Sequence, residues 1–260
     1  MNTYKTAEIA NMFGIHVNTV RLYEKCGLIP KPVRQKNGYR VFTDIHVEQF
    51  KLARAALKVE VLQNGLRKQA VDIIKISAAG DYDRASEQAD RYLSQIGEEM
   101  WRAEEAIKIT RLILSGIDNP TREDTQEFTR KEAADVLHVT IDTLRNWELN
   151  GLFTVKRQKN GYRIYTDDDM QRLKIIRSLR CANYSLASIL RMLQAVSANP
   201  DTNIREIIDT PQEDDDIVTA CDKLLTSLED AKENALFVRS QIDKMKRLTE
   251  KQPTLTHQTS

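Results

Sequence analysis

The sequence lacks the features that mark membrane-spanning and secreted proteins. Its 260 residues contain no run of 18 apolar residues, the length that a transmembrane helix needs. Residues 1–5 lead straight into a patterned segment, without the apolar stretch of a signal peptide. We therefore expect a cytoplasmic protein without a membrane partner.

Cysteine is also scarce. Cys26, Cys181 and Cys221 lie far apart, they form no Cys-x-x-Cys pair, and their neighbours supply no set of metal ligands. This pattern predicts reduced and mostly buried thiols, with neither a disulfide framework nor a metal site.

No constellation of residues points to catalysis. The sequence offers no nucleophile beside a general base and no glycine-rich phosphate loop. The histidines are scattered, at His16, His46, His138 and His257. We predict a protein that is not an enzyme and that uses no cofactor.

The residues that are abundant indicate a helical protein with segregated charge. Charged residues make up 30%, aromatic residues 6%, and there are 9 glycines and 6 prolines, a composition typical of exposed helical faces. The net charge of +1 conceals net charges of +6 over 1–58, −5 over 59–128, +4 over 129–182 and −4 over 183–260. Two basic modules alternate with two acidic ones, as expected for polyanion binding by the basic pair.

The basic modules are copies of each other. The heptapeptide RQKNGYR occurs at 34–40 and again at 157–163, and the similarity extends over about 5–57 and 129–180. The offset is 124 residues before the heptapeptide and 123 from it onward, so the first copy has one extra residue between Ile29 and Val33. We interpret this repeat as a domain duplication.

Each copy has the pattern of a winged helix-turn-helix. Two short helices, Thr6–Phe13 and Asn18–Cys26 in the first copy, are predicted to end at Gly14 and Gly27 and to bury one apolar stripe each, with Leu22 facing inward in the second. Asn37-Gly38 favours a type I′ hairpin turn, in which both residues have positive φ. A third helix is predicted after Thr43 and after Thr166, where Asp169 completes a capping-box spacing.

These segments resemble the DNA-binding head of the MerR family of bacterial transcription regulators. The resemblance rests on VNTVRLYEKCG (17–27) and KNGYRVFT (36–43), then on IDTLRNWELNG (141–151), KNGYRIYT (159–166) and NYSLASILRML (183–193). It implies a regulator that binds promoter DNA at inverted half-sites, distorts it and alters the access of RNA polymerase. Thr154 stands where the first copy has Pro30, His138 stands where it has Gly14, and the first copy shows no counterpart of 183–185.

The candidate DNA-binding residues lie at the start of each second helix and in each wing. Helix N-terminal side chains meet base edges, whereas wing cations suit phosphate. Arg21 and Arg145 can bond to phosphate or to guanine, and the resemblance favours phosphate. Asn18 suits adenine, whereas its counterpart Asp142 suits cytosine or repels phosphate, so the heads are expected to read different half-sites. The alternative for Tyr39 and Tyr162 is that they pack as wing anchors. The candidates are His16, Asn18, Thr19, Arg21, Tyr23, Arg34, Lys36, Gly38, Tyr39, Arg40, Thr140, Asp142, Thr143, Arg145, Trp147, Arg157, Lys159, Gly161, Tyr162 and Arg163.

The acidic modules carry apolar residues at alternating spacings of three and four, which is typical of coiled coils. The seam at 93–114 includes Leu93, Met100 and Leu114, and a second seam runs along 217–249. The two coils are expected to pair within one chain, which would imitate a dimer, or between two chains that together carry four heads. Helices of a globular ligand-binding bundle are the alternative, and Trp101 and Tyr184 are expected as core aromatics.

The predicted fold is therefore mainly α, with two winged helix-turn-helix heads, each with a small β-hairpin wing, and two long coiled-coil helices. The expected function is sequence-specific transcription regulation, and the alternative is an architectural DNA-organising role. The predicted divisions are a first head at 1–58, a helical and coiled-coil segment at 59–114, a linker at 115–128, a second head at 129–196, an acidic connector at 197–216, a coil at 217–250 and a disordered tail at 251–260.

Overall fold

The computed structural model describes residues 2–58, 65–115, 127–157, 161–211 and 219–250. The predicted tail, most of the predicted linker and the acidic run before the last coil lie outside these residues. The elements are β1 Thr3–Tyr4, α1 Thr6–Phe13, α2 Val17–Lys25, β2 Val33–Arg34, β3 Arg40–Thr43, α3 Asp44–Leu57, α4 Leu66–Ala78, α5 Tyr82–Leu114, β4 Phe128–Thr129, α6 Arg130–Val136, α7 Ile141–Leu149, β5 Lys156–Arg157, β6 Arg163–Tyr165, α8 Asp167–Cys181, α9 Leu186–Ala198, α10 Ile204–Asp209 and α11 Leu224–Glu250.

The chain divides into two compact units. The first consists of residues 1–97 and 229–260, and the second of residues 98–228. Each unit contains one head and a part of each long helix, α5 and α11. The mainly α class with two small wings is confirmed.

The first helix-turn-helix has the predicted ends. Gly14 follows α1 at φ 60° and its N–H bonds to carbonyls of the last turn, a left-handed cap that glycine adopts without a Cβ penalty. Gly27 follows α2 at φ 68°. The second copy places His138 at φ 49° where the first has Gly14, so a side chain takes up this less favourable conformation there.

Each wing is a three-stranded sheet, with a strand that the sequence pattern did not reveal. In the first head the order is β1-β3-β2, and Thr3 and Tyr4 pair with Thr43 and Phe42. In the second head the order is β4-β6-β5. The strand before the first helix therefore anchors the hairpin, which alone would be marginal.

The predicted type I′ turn is wrong for the first wing. Gln35 N–H bonds to the Tyr39 carbonyl at 2.9 Å and Gly38 N–H to the Gln35 carbonyl at 2.8 Å, which leaves a three-residue loop. Gly38 has φ 82°, whereas Asn37 keeps a negative φ. Asn37 instead accepts a hydrogen bond from Tyr39 N–H through its side chain, at 3.1 Å. A three-residue loop needs left-handed backbone only at its last residue.

The core of the first head is built around Phe50. Its ring stacks on Phe13 at 5.2 Å and on Tyr23 at 5.1 Å between centroids. The inward position predicted for Leu22 is wrong, because this side chain is 53% exposed. Val20 is fully buried, and two residues along a helix turn the side chain by about 200°, which points Leu22 away from the core.

The third helix of the second head, α8, begins with a capping box and buries an apolar stripe. Thr166 and Asp169 form the predicted capping box, with N–H bonds of 2.9 and 3.3 Å in the two directions. The apolar stripe predicted for α8 is buried, at Met170, Leu173, Ile176 and Leu179.

Both heads have a fourth helix of 13 residues, α4 in the first and α9 in the second. α4 packs on α3, where the Gln49 amide donates to the Ile74 carbonyl at 2.9 Å. The repeat thus includes a helix whose two sequences do not align visibly. Gly65, at φ 75°, precedes α4 where Ser185 caps α9.

In the first unit α5 and α11 pair antiparallel. Asp83 on α5 binds Lys246 on α11, and Asp90, further along α5, binds Arg239 at 2.9 Å. The partner on α11 thus comes earlier in the chain as the position on α5 comes later, so the two helices run in opposite directions. Along this pairing the helices bury a stripe of mostly apolar residues, Ala85, Ala89, Tyr92 and Ile96 on α5 and Ala231, Ala235, Val238, Ile242 and Met245 on α11. α5 begins at Tyr82, before the predicted coil, and α11 begins at Leu224.

In the second unit α5 packs against the second head. The Tyr184 hydroxyl lies 3.5 Å from the Ala103 carbonyl and the Asn183 amide donates to Glu99 at 3.3 Å. Tyr184 is fully buried, as expected of a core aromatic. Trp101 is 64% exposed, so its predicted core position is wrong, because two residues of helix separate it from both Glu99 and Ala103 on the buried side.

The predicted burial of the cysteines is also wrong. Cys26 and Cys181 are exposed and Cys221 is half-buried, and none of the three forms a disulfide. Leu114, expected in the coil seam, is 42% exposed. Across the described ranges, none of the helices combines the length and apolar character needed to cross a bilayer.

Candidate nucleic-acid interface

The start of α2 exposes side chains that can read bases. His16 caps the helix, and its Nδ1 accepts a hydrogen bond from Asn18 N–H at 3.2 Å. Arg21, one turn later, donates to the Asn18 side-chain oxygen at 3.3 Å, and both side chains are exposed. Thr19 is half-buried beside them. This end of α2 therefore offers both donors and acceptors to a groove.

The start of α7 has the same geometry with different chemistry. Thr140 caps the helix by accepting from Thr143 N–H at 3.1 Å, and the two hydroxyl oxygens lie 2.8 Å apart. Asp142 and Arg145 are exposed. A carboxylate thus stands on the surface of α7 where α2 presents an amide.

An arginine–glutamate pair joins each wing to its second helix. In the first head Arg40 Nε donates to Glu24 Oε2 at 2.5 Å, and Arg34 lies 3.6 Å from the same carboxylate. The Arg40 side chain remains 22% exposed. Such a charge-assisted contact fixes the wing relative to the helix, because both partners are largely withdrawn from water.

The second head repeats the pair with a different second arginine. Arg163 Nε binds the Glu148 carboxylate at 2.9 Å, and Arg130 at the start of α6 lies 3.7 Å from it. In the second head Arg130 is thus the second arginine near the glutamate, as Arg34 is in the first head. Arg157, the counterpart of Arg34 in the sequence, is exposed on its strand.

The described residues at the tips of the wings are exposed. Tyr39 is 71% and Tyr162 is 72% exposed, which is incompatible with the alternative that these rings pack as anchors. Lys36 is exposed, and Gly38 and Gly161 share a left-handed φ of 82° and 83°. Lys159, also predicted at the interface, lies outside the described residues.

Two predicted interface aromatics lie toward the core. Tyr23 is half-buried against Phe50, and burial raises the pKa of its hydroxyl. Trp147 is 4% exposed. Both rings support the second helix from behind, and neither belongs to the surface that we assign to DNA below.

Sequence reasoning missed the two glutamates. Glu24 and Glu148 recur at equivalent places of the repeat, and so do Arg40 and Arg163, but recurrence alone does not reveal that these residues touch. The signal that could have indicated the contact is that both copies keep a glutamate on the second helix and an arginine on the wing. No group of three or more potential metal ligands occurs in the part of the chain that the structure describes.

Comparison with known proteins supports both heads. Residues 5–42 match the description "MerR family regulatory protein" and residues 128–196 match "MerR HTH family regulatory protein". Both descriptions are of regulatory proteins rather than enzymes. No solved structure matches the chain significantly.

Curated relatives are similar over part of the chain. The HTH-type transcriptional regulator ZntR of Escherichia coli (strain K12) is 39% identical over 71 residues, which is 27% of this chain and 50% of that protein. The HTH-type transcriptional regulator CueR of Escherichia coli O6:H1 is 36% identical over 53 residues, or 20% and 39%. A probable heavy metal-dependent transcriptional regulator of Haemophilus influenzae is 35% identical over 77 residues, or 29% and 59%. The chain thus spans about half the length of these curated relatives.

Proposed function

We propose that this chain, which carries two heads of the MerR family, is a sequence-specific DNA-binding transcription regulator. One observation carries the proposal: each head exposes the start of its second helix beside a wing that an arginine–glutamate pair holds in place. A helix and a ribbon fixed in this way can meet adjacent parts of one duplex.

The two parts of each head have different tasks. The helix ends bring Asn18 or Asp142 to base edges in the major groove, and Arg21 or Arg145 to phosphate or guanine. The wings bring cations and an exposed tyrosine hydroxyl to the phosphate backbone, which orients the head without reading sequence. The wings are nearly identical in sequence and the helix ends are not, so we infer two half-sites of different sequence.

We infer further that a single chain supplies both heads for one site with inverted half-sites. The antiparallel ion pairs of Asp90 with Arg239 and of Asp83 with Lys246 support this inference, since they join the two long helices of the same chain. By analogy with the family, binding would distort promoter DNA and change the access of RNA polymerase. The rival is a homodimer with four heads, and native mass spectrometry at nanomolar concentration decides between them: a purely dimeric species would contradict the single-chain proposal.

Hydroxyl-radical footprinting on the DNA upstream of the protein's own gene tests the regulatory function. We expect one or a few protected sites, each with two half-sites and a bend. A variant with Arg21→Ala and Arg145→Ala should lose protection, whereas Arg84→Ala with Arg111→Ala, which removes the same charge from exposed positions of α5, should keep it. Broad protection without discrete sites would favour the architectural role instead.

A further inference from the structure

The first unit contains a basic hollow beside α2, which is the recognition helix of the proposed DNA interface. The hollow has a volume of about 950 Å³ and opens between the C-terminal end of α2, the base of the wing and the C-terminal end of α4. Ile29, Ala78 and Ala79 contribute apolar surface to its wall. The charged side chains on its wall are Arg21, Lys25, Lys31, Arg40, Lys75 and Glu24.

Three of these cations have no counter-charge among the residues that the structure describes. Arg40 and Arg34 already engage Glu24, the carboxylate of the hollow. Lys25, Lys31 and Lys75 are exposed, and none of them makes a hydrogen bond or ion pair with any residue that the structure describes. Unpaired cations of one sign around a concave surface raise the local positive potential, which an anion relieves.

The second head provides an internal comparison, because other residues stand at the positions equivalent to these lysines. The counterpart of Lys25 is Leu149, which is 75% exposed on α7. Lys75 is the tenth residue of α4, and the tenth residue of α9 is Ala195. An exposed leucine and an alanine thus stand where the first head has two cations.

The third lysine lies where the copies differ in length. Lys31 belongs to the three residues 30–32, opposite which the second copy has the two residues 154 and 155, threonine and valine. The basic hollow is therefore a feature of the first head and not of the repeat. Of the cations that line the hollow, Arg21 and Arg40 have counterparts in the second head, Arg145 and Arg163.

We propose that this hollow is a phosphate-binding site specific to the first head, and that it holds a phosphate of the DNA backbone. The source of the phosphate rests on the proposed function. Arg21 of the recognition helix and Arg40 of the wing line the hollow as well, so a backbone that leaves the interface on this side passes directly over Lys25, Lys31 and Lys75. Lysine ammonium groups bind phosphate as compact point charges.

It follows that the heads differ in their electrostatic share of binding. The first head anchors the chain through additional contacts with the DNA backbone, and the second head depends more on contacts with the DNA bases. A free phosphate ester, such as a nucleotide, has the same chemistry as the backbone and is distinguished by the experiment.

The test measures the salt dependence of binding to a fluorescent duplex from upstream of the protein's own gene, with the full chain. Lys25→Leu and Lys75→Ala introduce the residues of the second head, so folding should be preserved, and thermal melting checks this. Each should reduce the slope of log Kobs against log salt by about 1, because one phosphate contact is lost. Lys68→Ala is the matched control, since it removes an exposed lysine from α4 outside the hollow.

The outcomes separate the site from the function. Equal effects of Lys68→Ala and Lys75→Ala, or no effect of Lys25→Leu and Lys75→Ala on a wild-type protein that binds the duplex, would overturn the DNA contact. Calorimetry with sodium pyrophosphate as the probe then tests whether the hollow binds phosphate at all. Heat of binding that the wild-type chain shows and the Lys25→Leu, Lys75→Ala double variant lacks would assign the hollow to a free phosphate compound. No heat with the wild-type chain would rule out a phosphate site. A wild-type chain that does not bind the duplex would refute the proposed function, and the pyrophosphate titration would still test the hollow.

Discussion

Arg40 Nε donates to Glu24 Oε2 at 2.5 Å, across 16 residues of chain that include the whole turn into the wing. The same contact joins Arg163 to Glu148 in the second head at 2.9 Å. Sequence analysis placed both arginines on phosphate, whereas the structure gives each a carboxylate partner within its own head. Their first task is therefore to fix the angle between wing and recognition helix, and their remaining guanidinium N–H groups are left for a ligand.

Removing Glu24 should destabilise the first unit. Glu24→Ala leaves Arg40 without its charge-assisted partner at a site where the glutamate side chain is 11% exposed, and we expect a loss of about 1–3 kcal/mol in the free energy of unfolding. Urea denaturation followed by circular dichroism measures it. Glu87→Ala is the control, because it breaks an exposed pair with Arg91 and should cost below about 0.5 kcal/mol. Equal losses of stability in the two variants would show that the pair of Arg40 and Glu24 contributes no more than an exposed ion pair.

Exchange of one exposed group should change which base the second head prefers. Asp142→Asn gives α7 the amide of α2, and we expect the preferred base to shift from cytosine to adenine with a discrimination of about tenfold or more. Selection of bound sequences from a randomised duplex library reads this out directly. Asp135→Asn makes the same charge change at an exposed position of α6 and should raise affinity, if at all, without altering the preferred sequence.

A buried arginine should be essential for the second unit. Arg191 is 8% exposed and donates to the carbonyls of Ile207, Ile208 and Asp222 at 2.9, 3.2 and 3.0 Å. Arg191→Met removes all these donors at once, and because the orphaned carbonyls lose their partners we expect unfolding to become easier by more than about 2 kcal/mol. Hydrogen exchange should show the loss in α9 and α10. The exposed Arg111→Met variant should stay near wild type, and a silent Arg191→Met would contradict the assigned role.

Acid should weaken the link between the first head and α11. Glu48 is 7% exposed; burial alone would raise its pKa, but hydrogen bonds from Lys244 and Lys51 lower the pKa below its ordinary value of 4.5. A carboxyl with a depressed folded-state pKa adds stability above its unfolded pKa, and this stability is lost as the pH falls through the folded value. Glu48→Gln, which places the glutamine that the second head has at 171, should therefore lose less stability than wild type between about pH 5 and pH 3.

The measurement is a series of urea unfolding curves across that pH range. Glu87→Gln should follow the wild-type response, since an exposed pair contributes little. A Glu48→Gln protein that loses as much stability as wild type would show that the carboxylate does not carry this part of the acid response.

Local signals in the sequence were sufficient for the first three helices of both heads. Gly14 and Gly27 end their helices because the required left-handed conformation favours glycine, and Thr166 starts α8 because its hydroxyl and Asp169 satisfy two free N–H groups. The stripe from Met170 to Leu179 is buried because residues three and four apart share a helix face. Each of these features depends on neighbours within a few residues, which a sequence displays.

Features that depend on distant neighbours were decided by the tertiary structure. The strand Thr3–Tyr4 is too short to have a pattern and exists because Phe42 and Thr43 offer it an edge. Trp101 is exposed because the second head covers the other side of α5 through Asn183 and Tyr184, and the basic hollow forms only when α4 brings Lys75 beside Lys25. The sequence by itself determined a duplicated, basic, winged helix-turn-helix. Tertiary packing decided that the wing arginines bind glutamates and that the first head gathers three lysines that have no partner among the described residues, since such contacts depend on the meeting of segments that are distant along the chain.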